Sequence, residues 1–420
     1  REWSAVAEFR TLPLTLANRG YSTAMIGKWH LGQPWQASIG YQHWVTFTDG
    51  HTVDFWNNDV IDNDDTYPVK DKRIVDFFAD KAVEYIEKQG KDKPFYLQLN
   101  FDGPYLNPPT NNGPAKNRHY KSYVGDKFES FPRVPVNANI VEQLSDPKVP
   151  PFLKGMHKKS ILHHNDPESM ANVASQNTVV DDGVGRVLEA LEKAGLAETT
   201  LVIFSSDQGN FYGQHGLWQH NTVTTPANLY EAALNVPLVI RHPDHIAPSQ
   251  TSKALIGQYD IPVTILDYLG FGNIKFDRSP GRSFVGLLNR SKQRMTSGDN
   301  AKHAGEWEDL VFYEQEESRG VRTPEYAYWS RIKGTGAAEL YDMRKDPAQL
   351  HNLAFESEMQ PVVNELDQAL TEFFTNYSDK KYDIWAGGTA KGSVMRPYMF
   401  KALFGEQWEP KTPMLPAFSE

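Results

Sequence analysis

Two basic side chains stand two residues apart in the run Gly27-Lys28-Trp29-His30-Leu31-Gly32. An ammonium fixes negative charge, and an imidazole gives or takes a proton near neutral pH. Together they suit an anionic substrate. A second group, Asp207-Gln208-Gly209, follows the apolar run Thr200 to Ser206. A carboxylate and an amide oxygen are hard ligands that suit a divalent cation. A third, Gly213-Gln214-His215-Gly216-Leu217-Trp218-Gln219-His220, carries two more imidazoles. Tyr105 and Asn107 follow the apolar run Pro94 to Phe101 and offer neutral hydrogen-bonding groups among prolines. His163-His164 is less suggestive, because adjacent residues of an extended segment point to opposite faces.

These residues sit where elements end. Thr11 to Asn18 reads as a short helix, with Thr11 as N-cap, Pro13 in the first turn and Gly20 as the stop. Ser22 to Ile26 reads as a buried strand, which puts Lys28 and His30 just past its end. If the chain stays extended there, both side chains leave on one face. Asp71 to Gly90 has helical apolar spacing, and Pro94 to Phe101 reads as the next strand. Asn172 to Gly195 is a second amphipathic helix, followed by Thr200 to Ser206 as a fully buried strand. Its carboxyl end, at Asp207, is where α/β sheets bind ligands. Alternating helices and strands predict an α/β fold with a mixed sheet covered by helices.

The connections are long. Gln33 to Asp65 reads as a surface excursion with short strands, and its acidic clusters at 57–59 and 63–65 lack the spacing of an EF-hand. Asn111 to Asp166 shows little periodicity and reads as an insertion over the active-site face. Paired strands at 310–313 and 326–329 precede an amphipathic helix from Glu356 to Tyr377. The expected division is an α/β domain over 1–300, a C-terminal subdomain over 301–380 and a tail over 381–420 that packs on the core.

Composition narrows the function. A net charge of −10 over 420 residues argues against non-specific nucleic-acid binding. No apolar run is long enough to span a bilayer. The chain has no cysteine, which excludes disulfides, thiolate metal sites and a cysteine nucleophile.

The stretch Gly20-Tyr21-x-Thr23-x-x-x-Gly27-Lys28-Trp29-His30-Leu31-Gly32 resembles the second signature of the type I sulfatases, in the alkaline phosphatase superfamily. Every fixed position of that signature is filled. The resemblance implies an alkaline-phosphatase-like mixed sheet sandwiched by helices, with a small C-terminal antiparallel sheet plus helix. It implies hydrolysis of a sulfate monoester, most simply on a sulfated carbohydrate, in a periplasmic or secreted protein. Lys28 and His30 would contact the sulfate. Asp207 and Gln208 would be ligands of one Ca2+ ion, Gln208 replacing the family's Asn. His220 stands where the family has a sulfate-contacting Lys and could act as general acid. Tyr105 stands where a sulfate-contacting His is expected, with Asn107 as an alternative contact. His215 either lines the pocket or packs. Tyr230-Glu231, the run Asp260 to Thr264 and Gly281-Arg282-Ser283-Phe284 resemble further family elements.

The family's nucleophile is a formylglycine made within a Cys/Ser-x-Pro-x-Arg motif, normally upstream of the Gly-Lys-Trp-His stretch. Arg1 to Arg10 contains no such motif. The expectation is therefore a sulfatase chain that lacks its N-terminal segment. Two alternatives stay open. One is a catalytically inactive module that binds sulfated glycans. The other is a superfamily phosphodiesterase or phosphatase with two transition metals, which needs more His and Asp at strand ends than the sequence offers.

Overall fold

The computed structural model describes residues 5–32, 34–51, 54–104, 116–220, 223–288, 307–389 and 395–409. The chain divides into two compact units, residues 1–200 with 211–219, and residues 201–210 with 220–420.

The first unit begins with α1 (Leu12–Ala17), whose N-cap Thr11 accepts from the Leu14 amide at 3.3 Å. Gly20 at φ +86° ends it. Strand β1 (Ser22–Gly27) lies in a five-stranded sheet with β2 (His43–Phe47), β3 (Asn58–Asp62), β4 (Asp65–Val69) and, after helix α2 (Ile74–Glu87), β5 (Phe95–Asn100). The sheet order is β4-β3-β2-β1-β5. β1 runs parallel to both β2 and β5, while β3 and β4 extend the sheet antiparallel. Alternation along β1 decides the packing. Ala24 and Ile26 join Val45, Phe47, Phe77 and Phe78 in one cluster, and Met25 joins Trp29, Tyr41 and Trp44 in another.

Two acidic residues of the 33–65 excursion, Asp62 and Asp65, prove structural. Asp62 and Asp65 close the β3–β4 hairpin around Asn63, whose φ is +54°. Burial opposes ionisation of Asp62, but bonds from Lys81 and Tyr67 outweigh it and hold the carboxyl below its usual range.

The 111–166 segment, expected to lack regular structure, contains α3 (Ala138–Ser145) and α4 (Pro151–His163). Helix α5 (Pro167–Lys193) begins earlier than its apolar spacing predicts, capped by Asp166 accepting from the Ser169 amide at 2.8 Å. Residues 117–123 lie along α5. Asn117 donates to Ser175 at 2.9 Å, Tyr123 meets Thr178 at 2.6 Å, and Arg118 bridges Asp76 and Asp182 at 2.8 and 2.6 Å.

Strand β6 (Val202–Ser205) opens the second unit, while β7 (Phe211–Tyr212) and β8 (Trp218–Gln219) pair in the first. After the short helix α6 (Glu231–Leu234), β9 (Leu238–Arg241) pairs antiparallel with β6. The sequence predicts full burial of β6, and this is corrected. β9 is its one strand neighbour among the described residues, and the facing pair Phe204 and Val239 is 40% and 59% exposed.

Helix α7 (Asp260–Tyr268) explains two motifs at once. The Asp260 carboxylate, fully buried, accepts from the Gly257 and Arg282 amides at 2.8 Å each. Thr264 accepts from the Phe284 amide at 3.1 Å. These two motifs tie a helix start to a loop, and the Asp260 carboxylate and Thr264 hydroxyl are engaged within the fold.

Past the short helix α8 (Val285–Leu288) come β10 (Val311–Gln315), β11 (Ser318–Arg322), β12 (Tyr326–Arg331) and β13 (Glu339–Asp342), in an antiparallel sheet of that order. Helix α9 (Gln360–Tyr377) places Leu366 and Leu370 on Val321, Tyr328 and Leu340. On the other face Trp329 and Tyr341 pack with Leu229. Helix α10 (Pro397–Phe404) brings Phe400 and Trp408 against Ile332 and Ile384. Among the described residues, no helix is long and apolar enough to cross a membrane.

Candidate functional site

The end of β1 is built by close backbone approach. Gly27 has φ +114°, and a Cβ there would lie 2.0 Å from the Asn100 carbonyl oxygen. That contact seats the next residue. The Lys28 amide donates to Asn100 O at 3.0 Å, and Asn100 Nδ2 donates to Lys28 O at 3.0 Å. Trp29 then plugs the turn. It is 3% exposed, its indole N–H donates to Gly32 O at 2.7 Å, and its ring meets Trp44 edge-on at 4.9 Å. Its amide donates to Gly50 O at 2.8 Å, which ties the loop after β1 to the loop after β2. Lys28 is half-buried and His30 exposed on either side of this buried ring. The backbone that carries these two side chains is thus fixed by the fold.

His30 meets a residue that the sequence did not single out. Its ring lies 4.8 Å from that of His51. No local spacing relates the two, and the bridge is the Trp29–Gly50 contact.

His215 belongs to a tight turn in the first unit. Gly213, His215 and Gly216 all have left-handed φ, at +109°, +55° and +69°. A Cβ at Gly213 would sit 2.4 Å from Pro132 O, and one at Gly216 2.1 Å from Pro135 O. The 111–166 segment thus backs this turn, and Asn137 Nδ2 donates to His215 O at 3.0 Å. The His215 ring is half-buried and edge-on to Phe211 at 6.1 Å, a packing contact. His163 and His164 are occupied by Ser169 and the Val134 carbonyl at 2.7 and 2.8 Å, as structural histidines are. Tyr105 and Asn107 lie outside the described residues.

Asp207, Gln208 and His220 belong to the second unit. Asp207 and Gln208 follow β6 and are exposed. Gln258 Nε2 donates to the Ser206 and Asp207 carbonyls at 2.7 and 3.1 Å, and the Gly209 amide donates to Ala233 O at 3.0 Å. The strand end is therefore fixed while both side chains face outward. Their oxygens suit a hard cation, yet calcium takes about six to eight. Among the described residues no group of three or more acidic, cysteine or histidine side chains is arranged to hold a metal ion. The pair by itself does not make a calcium site. His220 is half-buried and follows Gln219, a buried residue at φ +138°. Tyr230 and Glu231 serve the fold, Glu231 pairing with Arg322 at 2.5 Å.

A family profile described as N-sulphoglucosamine sulphohydrolase, C-terminal, matches residues 213–376. The chain is 25% identical to an N-acetylglucosamine-6-O-sulfatase of Bacteroides thetaiotaomicron, covering 89% of this chain and 74% of that protein. It is 24% identical to an ulvan-active sulfatase of Formosa agariphila, over 90% of this chain and 72% of that one. A solved structure of a protein complexed with D-glucosamine-2-N,6-O-disulfate, described as its substrate, has a TM-score of 0.62 at 22% identity. It covers 89% of this chain and 83% of its own, and shows a shared fold. The profile described as Sulfatase matches residues 3–271, well over half of the sequence, and the chain belongs to the sulfatase family.

Proposed function

We propose that this chain recognises a sulfate monoester on a carbohydrate, with Lys28 and His30 contacting the sulfate, in a protein whose reaction is hydrolysis of that ester. The turn at the end of β1 supports this reading, because Gly27, Asn100 and Trp29 fix the backbone on which Lys28 and His30 stand two residues apart. His220 is assigned the proton donor to the leaving oxygen, on its place in the motif alone. The relatives named for sulfated sugars and ulvan support a carbohydrate over a small aryl ester.

Binding tests this without requiring turnover. N-acetylglucosamine-6-sulfate is expected to bind the chain more tightly than N-acetylglucosamine by calorimetry. Lys28→Ala or His30→Ala should weaken the sulfated sugar by roughly 10- to 100-fold, the worth of a charge-assisted hydrogen bond. Equal binding of the two sugars would overturn the reading. The chain contains neither a cysteine nor a Ser-x-Pro-x-Arg run. That observation favours binding without sulfate release for this polypeptide alone, and an assay of free sulfate decides it.

Asp207 and Gln208 are proposed as two ligands of a divalent cation. With two side-chain oxygens the chain should bind calcium weakly, with Kd no tighter than about 10⁻⁴ to 10⁻³ M. Asp207→Ala should abolish that binding, measured by terbium luminescence with calcium competition. Unchanged luminescence would remove Asp207 from the ligand set.

A further inference from the structure

A second site adjoins His30. A cavity of about 280 Å³ lies between the loop after β2, the start of β3 and the end of β4. His51 is in its wall, and the His51 ring is 4.8 Å from that of His30. The distance between cavity and His30 is set by backbone. The Trp29 amide donates to Gly50 O at 2.8 Å, and a Cβ at Gly50 would lie 2.0 Å from Trp29 O.

The lining has two parts. Phe47 and Val69 are buried and apolar, 2% and 6% exposed. Asp49, Asn57, Asp59 and Lys70 are exposed around them. Carboxylates and a side-chain amide can each take paired hydrogen bonds from neighbouring hydroxyls, and an apolar floor accepts the C–H face of a ring. The volume is at the small end for ligand sites, about 300 Å³, so one ring fits rather than an oligomer. Charge narrows the ligand further. Two carboxylates against one ammonium disfavour a second sulfate or a uronate within a Debye length of about 8 Å.

We infer that this cavity is a subsite for an unsulfated pyranose joined to the sulfated sugar, its hydroxyls held by Asp49, Asn57 and Asp59. The inference rests on the reading of Lys28 and His30 above, and it deepens that reading into a preference for a linked sugar over a free monosaccharide. His51 forms the partition between the two places.

The test uses the whole chain and three kinds of probe. These are N-acetylglucosamine, N-acetylglucosamine-6-sulfate, and a panel of β1→3- and β1→4-linked disaccharides with one sulfated and one neutral ring. At least one disaccharide should bind about 10-fold or more tighter than the sulfated monosaccharide, as two or three added hydrogen bonds allow. The double variant Asp49→Ala/Asp59→Ala should lose that gain and leave the monosaccharide unchanged. Asp49→Asn/Asp59→Asn should retain part of it. Both positions are exposed, and an unaltered circular dichroism spectrum would show that the variants fold. No gain for any disaccharide, or an equal loss on both sugars, would overturn the subsite while leaving the sulfate reading standing. A sulfated monosaccharide that binds no better than its unsulfated form would overturn the sulfate reading itself.

Discussion

Arg396→Ala is expected to destabilise the second unit by about 3–5 kcal/mol, the usual cost of stripping one partner from a buried ion pair. Arg396 is fully buried, 3.2 Å from Glu316 and 3.3 Å from Glu317, and donates to Thr224 O at 3.0 Å. The two glutamates are fixed by the backbone as well. Glu317 accepts from the Ala227 amide at 2.6 Å and Glu316 from the Met395 amide at 2.8 Å. Truncating the arginine leaves two carboxylates in a site with no cation to offset them. Burial pushes the Glu316 carboxyl up, Arg396 pulls it back and Glu317 pushes it further, so its net position is above the ordinary value. A carboxyl raised in the fold keeps its proton after the unfolded chain has released its own. Its contribution is present below the ordinary carboxyl range and is lost as pH rises through the folded value. Removing Arg396 enlarges that shift. The deficit of the variant should therefore be smallest near about pH 4 and widest near neutrality. Urea midpoints at several pH values would show it, and Glu316→Gln in the same background should recover part of the loss. A deficit that is small and independent of pH would mean that the carboxylates find water or other donors when the arginine is gone.

The second large effect concerns Gly27→Ala. The new Cβ would overlap Asn100 O at 2.0 Å, on a backbone at φ +114° that alanine rarely adopts. Relief requires separating β1 from β5 at the point where Lys28 and Asn100 exchange two hydrogen bonds. Strain of about 1–3 kcal/mol and two bonds of about 0.5–1.5 kcal/mol each add to roughly 2–6 kcal/mol. Sulfated-sugar binding should fall with it, because Lys28 and His30 lose their seat. Gly20→Ala is the control. Gly20 also has positive φ, at +86°, but nothing lies within 4 Å of the added methyl. It should cost about 1 kcal/mol and leave binding intact. Equal losses for the two variants would show that backbone conformation alone, and not the β1–β5 contact, governs this turn.

Local signals carried much of the fold. Thr11 and Gly20 bracket α1 because caps are local chemistry, and β1, α2, β5 and α9 follow from apolar periodicity. What escaped depended on distant partners. β11 reads Ser-Arg-Gly-Val-Arg, which no strand pattern favours, yet Ser318 to Val321 are buried. Their polar groups are satisfied from elsewhere: Arg319 by Glu314 and Asp383, Ser318 by the Ala227 carbonyl. Helix α4 was hidden similarly. Gly155, three lysines and two histidines blur its face, while His157 and Ser160 are buried against Gln143 and the Trp218 carbonyl at 3.1 and 2.6 Å. In the candidate site Lys28 and His30 were legible because they are neighbours. His51 was not, because its position depends on the contact between two loops.

The parallel pairing of β1 with β5 sets the order of events as the chain is made. Ser22 through Gly27 find their partners at Phe95 through Asn100, about seventy residues later, and such distant parallel pairings form slowly. Lys28 and His30 leave the ribosome about seventy residues before Asn100, and the contacts that seat them wait for it. A nascent chain or proteolytic fragment that stops short of β5 would contain the basic pair intact in sequence and hold it nowhere in particular. The seat proposed for the anion thus forms only once β5 has paired with β1.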